Sequence, residues 1–534
     1  MLFRKFFVLK RVLYLSTVFI LTTLLSVMSS TWLKAQTLDL TQPHVFYVAL
    51  NGSDTNEGSF EHPWATVNHA AAVLKAGETV YVRAGTYPLT QQIHAKNSGT
   101  ADQWITYRAF PQEQAILDAQ SVRVAPPSGQ PPFAQDQGAF QLENVQYVQV
   151  QGLKIINSHN SGITVRNSAH IKLYNNQVEN TFSPGIGVWH SEDQKVIGNT
   201  VVNANWLAMA DFLYTHAEAP HEAISLGSVT DFEVSYNLVR DGKKEGIDVK
   251  ETSKHGIVHH NYVHHMARQA YYVDISGGIL ENVEVLNNVA HDCKGAGFAI
   301  SVEGRGNAAM RNIRFHHNLL YNNSGTGIIF SRWGGDGLRE NIKIYNNTVH
   351  HNGHGEPNPG EAFHWITGGL YLFSGSLQSV EIRHNIFSEN SGFQIGYSDR
   401  HFANSSNIRD LSNSSPNQNP TQIEDVLQQK NIDISHNLIA GPNDPDAAVY
   451  AGWPPDNYAN IYALNGTDTI VDHPPFIDAA SGNFYLRSSP IMNQAGLAPH
   501  LARPEPSIGA FPVSENPDLW WQSNFPPDFT SRAD

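Results

Sequence analysis

The chain of 534 residues is 41% hydrophobic and 16% charged, with a formal net charge of −15. This composition supports a large buried core and excludes an intrinsically disordered chain, and the acidic balance argues against nucleic acid as a partner. The single cysteine, Cys293, excludes an internal disulfide and reads as a structural thiol, so packing and backbone pairing must hold the fold together.

The chain opens with Arg4, Lys5, Lys10 and Arg11, then a nearly uncharged apolar run to about Val27, and reaches Ala35 before Gln36. This is the pattern of an export signal over residues 1–35, with an uncleaved N-terminal anchor as the alternative, because Leu33 is large for its place before the cut. Both place the folded part outside the cytoplasm, secreted or periplasmic. Residues 36–125 are expected to form an N-terminal cap and first coils, with a helix at Val67–Leu74 covering the first coil.

Residues 126–445 carry the repeat that predicts the fold. IKLYNNQV, KVIGNTV, FEVSYNLV, GIVHHNYV, VEVLNNVA, IRFHHNLL, IKIYNNTV, VEIRHNIF and IDISHNLI place asparagine at 176, 199, 237, 261, 288, 318, 347, 385 and 437. Spacings of 23 to 30 residues fit one coil of a right-handed parallel β-helix, and the longer ones fit a coil plus an inserted loop. Stacked coils put these asparagines in one ladder, each amide satisfying a turn that otherwise leaves backbone groups unpaired. His259, His260, His316, His317 and His384 recur with the same turn, which favours a structural role over a metal site.

A second strand in each coil carries the functional candidates. HEAISLG, EGIDVKE, QAYYVDIS, AGFAISVEG, TGIIFSRWG and GGLYLFSG align on their small residue, joined by SGITVR and PGIGVWH. In that register Ile163, Ile186, Ile224, Ile247, Tyr271, Phe298 and Ile328 point inward, as do the residues two further on. The outward columns hold Thr164, Gly187, Ser225, Asp248 and Tyr272, and beside them Arg166, Gly227, Lys250, Asp274 and Ser301. Coils ~4.8 Å apart and alternate residues ~6.6 Å apart bring Asp248, Lys250, Tyr272 and Asp274 into one exposed patch. The structural alternative is a simple cross-strand ion pair of Lys250 with Asp274. Insertions at Ala204–Pro220 and His354–Ile366 are expected to wall a groove along this face, with Trp189, Trp206, Trp333 and Trp365 as aromatic platforms.

Residues 446–534 are expected to close the solenoid with a terminal coil, a cap and, beyond Val513, a tail. The opening YVALNGSDTNEGSFEHPWATV...AGETVYVRAGTY, the asparagine-laddered coils and the ending PPFIDAASGNFYL...SIGAF resemble secreted bacterial right-handed parallel β-helix proteins. The resemblance covers nearly all of the chain after residue 35. It implies an all-β, single-stranded, pectate-lyase-like solenoid from a superfamily rich in polysaccharide lyases and glycoside hydrolases.

EGIDVKETSKHGIVHHN is similar to the catalytic strand of the alginate lyase and chondroitinase B family, which implies Lys250 as base and Glu245 as a calcium ligand. Thr252 stands away from the family's serine, and Val273–Asp274 replaces its arginine, leaving Tyr272, Arg268 or Arg332 as proton donor. The expected catalytic group is therefore Lys250, Asp248, Asp274 and Tyr272. Glu222, Glu245, Asp248 and Asp274 are the expected ligands for Ca²⁺, a hard cation that takes carboxylate oxygens. Arg166, His190, Trp206, Arg268, Glu303, Arg332 and Trp333 are expected to bind a polysaccharide or oligosaccharide. Three functions stay open at this point: a lyase cleaving a uronate-containing glycan by β-elimination, a glycoside hydrolase using paired carboxylates, and a non-catalytic carbohydrate-binding or surface protein.

Overall fold

Each coil of this chain turns because particular residues accept the left-handed backbone region. The residue before each ladder asparagine has φ of 53° at Asn175 and His260, 56° at Tyr236, 60° at His317, 54° at His384 and 57° at His436. Asparagine and histidine are among the side chains that best tolerate this region, which accounts for the recurring His-Asn and Asn-Asn pairs. His260, His317, His384 and His436 are thus corner residues, while His259 and His316 end the strands before them.

The computed structural model describes residues 44–124, 137–209, 219–304, 306–331, 335–355, 367–397, 427–440, 449–451 and 468–486. The expected export signal over residues 1–35, most of the insertions at Ala204–Pro220 and His354–Ile366, and the expected tail lie outside them. Met1–Val45 and Phe46–Asp534 are separate units, and the second carries all that follows. Its strands form three parallel sheets of 13, 12 and 13 strands, in which sheet neighbours come from successive coils, so the chain visits each sheet once per turn. This is the expected parallel solenoid. The small helix Val67–Val73, with Thr66 as its N-cap, buries Val67, Ala70 and Ala71. These three join the main apolar core. Near the C-terminal end, Phe476–Asp478 pairs antiparallel with Asn483–Leu486. Among the described residues no helix is long and apolar enough to cross a membrane.

The nine asparagines stack as one ladder. Asn261 Nδ2 donates to Asn288 Oδ1 at 3.0 Å, Asn288 Nδ2 donates to Asn318 Oδ1 at 3.0 Å, and the backbone N–H of each also donates to the next oxygen. The ladder starts at Asn176 and its last rung, Asn437, donates to Asp468. A second buried ladder, Asn323–Asn352–Asn390, runs five residues behind Asn318, Asn347 and Asn385; Cys293 stands at its head, its N–H donating to Asn323 Oδ1 at 3.1 Å. Burial pushes the Cys293 thiol up to about 12, so it stays a packed, protonated side chain.

Candidate functional site

The candidate site sits in the 12-stranded sheet, on strands Ile224–Gly227, Ile247–Lys250, Tyr271–Ile275 and Phe298–Val302. Alternation places Ile247 and Val249 in the core and sends Asp248 and Lys250 to the outer face. The register is the expected one: Ser225 pairs with Asp248 and Asp248 with Tyr272, while Gly227 pairs with Lys250 and Lys250 with Asp274.

The outer face is not exposed, contrary to the sequence expectation. Asp248 has no accessible surface, Asp274 5% and Tyr272 6%, and Thr164, Ser225 and Ser301 are equally enclosed. Side chains of neighbouring coils fill the space above the sheet. The Trp189 ring lies across Gly227, where an added Cβ would stand 2.2 Å from it, and His221 packs on the same ring at 4.5 Å.

Lys250 is the hub of this buried layer. Its Nζ donates to Glu222 Oε1 at 2.9 Å and lies 3.0 Å from Asp248 Oδ2. The alternative of a simple cross-strand pair with Asp274 gives way to these contacts, because Glu222 reaches over from the segment leading into the preceding strand. Ser225 Oγ completes Glu222 by donating to Oε2 at 2.7 Å. Tyr272 donates its phenolic hydrogen to Glu303 Oε1, and Arg268 Nη1 meets Glu245 Oε1 at 3.4 Å.

The electrostatics follow from burial and crowding. Burial would raise Glu222, but Lys250 and Lys244 hold it low. Lys244 was not singled out in the sequence; its only signal was its place beside Glu245 in KKEG. Burial raises Asp248 well above the carboxylate range, aided by Asp274 and Glu222 and opposed by Lys250. Asp274 is pushed up to about 8 by burial, with Lys250 opposing and Glu303, Glu222 and Glu251 adding to it. Burial also raises Glu303 and Tyr272. For Lys250, burial favours loss of the proton, yet Asp248, Glu222 and Asp274 overcome it and hold the ammonium well above its ordinary value. As arranged, Lys250 is an acid, and the expected role of base requires the neighbouring carboxylates to be neutralised by something else.

Several buried oxygens lack a hydrogen-bond partner, Oδ1 of Asp248, Oδ1 of Asp274 and Oε2 of Glu245, while Asp248 Oδ2 faces the Lys250 ammonium. Orphaned buried carboxylate oxygens are hard donors of the kind calcium takes, so the residues fit that ion in chemistry. In their present arrangement, no three His, Cys, Asp or Glu side chains among the described residues converge to hold a metal, and the Lys250 ammonium faces Glu222 and Asp248 instead.

The remaining candidates divide. Arg166 shares the Lys250 column, three coils away by way of Trp189 and Gly227, or ~14 Å at ~4.8 Å per coil. His190 is an exposed corner residue with φ of 50°, outside the buried cluster. Trp206 packs half-buried against Phe182, Met209 and Ala219, a small apolar cluster in place of the expected open platform. Arg332 and Trp333 lie outside the described residues, as does Trp365.

Residues 46–219 match a family described as Pel9A-like, right handed beta helix region, a match that stops just short of Glu222. The uncharacterized protein YwoF of Bacillus subtilis is 43% identical over 76 residues, covering 14% of this chain and 16% of that protein. Pectate lyase PEL9 of Emericella nidulans is 29% identical over 129 residues, covering 24% of this chain and 32% of that protein. The chain thus spans a third or less of the length of these curated relatives. The solved structure of pectate lyase Pel9A aligns with a TM-score of 0.40 at 16% identity, over 71% of this chain and 87% of that one. Residues 138–312 and 307–409, together just over half of the chain, match the family described as right handed beta helix region. The three parallel sheets and this match together show that the chain belongs to the right-handed β-helix family.

Proposed function

We propose that this protein is an exported polysaccharide lyase that cleaves a uronate-containing glycan by β-elimination at the cluster around Lys250. The observation that carries the reading is the set of buried carboxylate oxygens, Oδ1 of Asp248, Oδ1 of Asp274 and Oε2 of Glu245, that lack a hydrogen-bond partner close to an ammonium group. A fold gains no stability from such oxygens, and they are retained where chemistry needs them. The Pel9A-like match over residues 46–219 and the partial identity to a protein named pectate lyase support the same reading.

Calcium held by Glu222, Glu245, Asp248 and Asp274 would supply neutralisation of the uronate carboxylate, which acidifies the adjacent C–H. Lys250 takes that proton on Nζ once the carboxylates no longer hold it protonated. The electron pair of the C–H bond forms the C4–C5 double bond, and the C4–O bond breaks. Tyr272, whose buried hydroxyl keeps its proton, returns one to the leaving oxygen. Arg268 stands at the edge of the cluster, where it can orient the substrate carboxylate. In this reading residues 1–35 direct export, and the helix Val67–Val73 serves as the N-terminal cap.

One observation favours a second reading. Asp274 is pushed up to about 8 while Glu222 is held low, a split that makes a general acid and a base for glycoside hydrolysis. The test is incubation of the full chain with a panel of acidic and neutral polysaccharides. Expected is an ultraviolet-absorbing unsaturated uronate, abolished by EDTA, restored by Ca²⁺ and absent with Lys250→Arg, whose guanidinium does not give up its proton. Chelator-resistant release of saturated sugars overturns the lyase in favour of the hydrolase. No cleavage of any glycan overturns both and leaves a binding protein.

A further inference from the structure

The 13-stranded sheet that ends at Ile432–Ser435 carries a cavity of about 570 Å³ on its outer side, away from the sheet that bears Lys250. The volume is that of a small-ligand site. Its lining is unusual for a chain of net charge −15, since Arg314, Lys343 and Arg383 face a single carboxylate, Glu381.

The register sharpens the point. Arg314 stands between Glu284 on one adjacent coil and Lys343 on the other, and Lys343 stands opposite Glu381. Lys343 Nζ meets Glu381 Oε1 at 3.0 Å, and Arg383 is paired with Asp433. Arg314 is exposed and, among the described residues, has no ion-pair partner. Arg314 and Lys343, side by side on adjacent coils, therefore present two cationic groups that one anion can bridge. Tyr345, stacked on His316 at 4.5 Å, adds an aromatic wall, and His317 lines the cavity from a corner of the coil. Guanidinium, ammonium and an aromatic face together suit a ring bearing a carboxylate or sulfate.

We infer that this cavity is an anionic-saccharide binding site, separate from the Lys250 cluster, that holds a uronate or sulfated sugar through Arg314 and Lys343. The choice of a uronate probe rests on the lyase reading, but the site itself does not.

The experiment is calorimetric titration of the full chain with trigalacturonate, with neutral cellotriose and inorganic sulfate as comparison arms, all in EDTA. Trigalacturonate is expected to bind, with affinity falling steeply as salt rises and weakening about tenfold or more in Arg314→Ala/Lys343→Ala. Arg314→Lys is expected to retain most of it. Lys195→Ala, in the same sheet but outside the cavity, must leave the affinity in place. Circular dichroism confirms that the variants are folded. Unchanged binding in the double variant, equal binding of cellotriose, or no binding of trigalacturonate by the wild type each overturns the inference. Inorganic sulfate binding as tightly as trigalacturonate overturns it too, by reducing the site to one for simple anions.

Discussion

Replacing Lys250 by methionine keeps the apolar stem and removes the charge, which isolates the ion pair from packing. In the structure the Lys250 side chain is 14% exposed, Glu222 6% and Asp248 not at all, with Nζ at 2.9 Å from Glu222 and 3.0 Å from Asp248. Had this been the exposed pair that strand alternation suggests, its loss would cost ~0.2–1 kcal/mol. Here it strands the Glu222 carboxylate inside a layer that excludes water, and breaking such a buried pair costs ~3–5 kcal/mol. Glu222→Gln in the same chain removes the stranded charge, so the double variant is expected to recover a good part of the loss. The assay is urea denaturation combined with hydrogen exchange on the amides of Ile247–Lys250, because a solenoid of this length need not unfold in one step. A Lys250→Met chain within ~0.5 kcal/mol of the wild type, with unchanged protection of that strand, would refute the claim that the cluster is desolvated.

The pH dependence of Asp274 has a definite sign. Its folded carboxyl, raised from 3.8 to about 8, keeps a proton that the unfolded chain gives up, so its contribution is intact below about pH 4 and is lost as pH rises towards 8. Asp274→Asn is therefore expected to match the wild type at pH 4 and to melt progressively higher than it up to pH 8; a gap independent of pH would contradict this. Asn288→Ala removes donors to Val258 O and Asn318 and an acceptor for two Asn261 donors, all buried. It should cost ~3 kcal/mol or more by urea denaturation, since each buried orphan costs ~1–3 kcal/mol. Asn312→Gly, in the exposed ladder with Asn282 and Asn341, keeps its left-handed corner and should fall within ~1 kcal/mol. Similar losses in the two variants would count against the buried ladder as the main brace.

The solenoid, its core and the strand register were legible in the amino-acid sequence, and the reason is periodicity. Alternation along a strand separates Ile247 and Val249 from Asp248 and Lys250, and the 23-to-52-residue recurrence of asparagine stacks one coil on the next. Both signals are local or repeat regularly, so one chain suffices to read them. The second asparagine ladder is a weaker signal of the same kind, three asparagine rungs, Asn323, Asn352 and Asn390, headed by Cys293. Tertiary structure alone decided how the outward residues are used. Alternation says which side of the sheet Asp248 and Lys250 face, not what packs there, and the answer came from Glu222 beside Lys250 and Trp189 over Gly227, on other coils. Lys250 prefers Glu222 to its register partner Asp274 because a long side chain follows the geometry of the space above the sheet, which depends on the segments entering each strand. The cavity at Arg314 and Lys343 arises the same way, from three strands distant in sequence brought side by side by the winding of the coil.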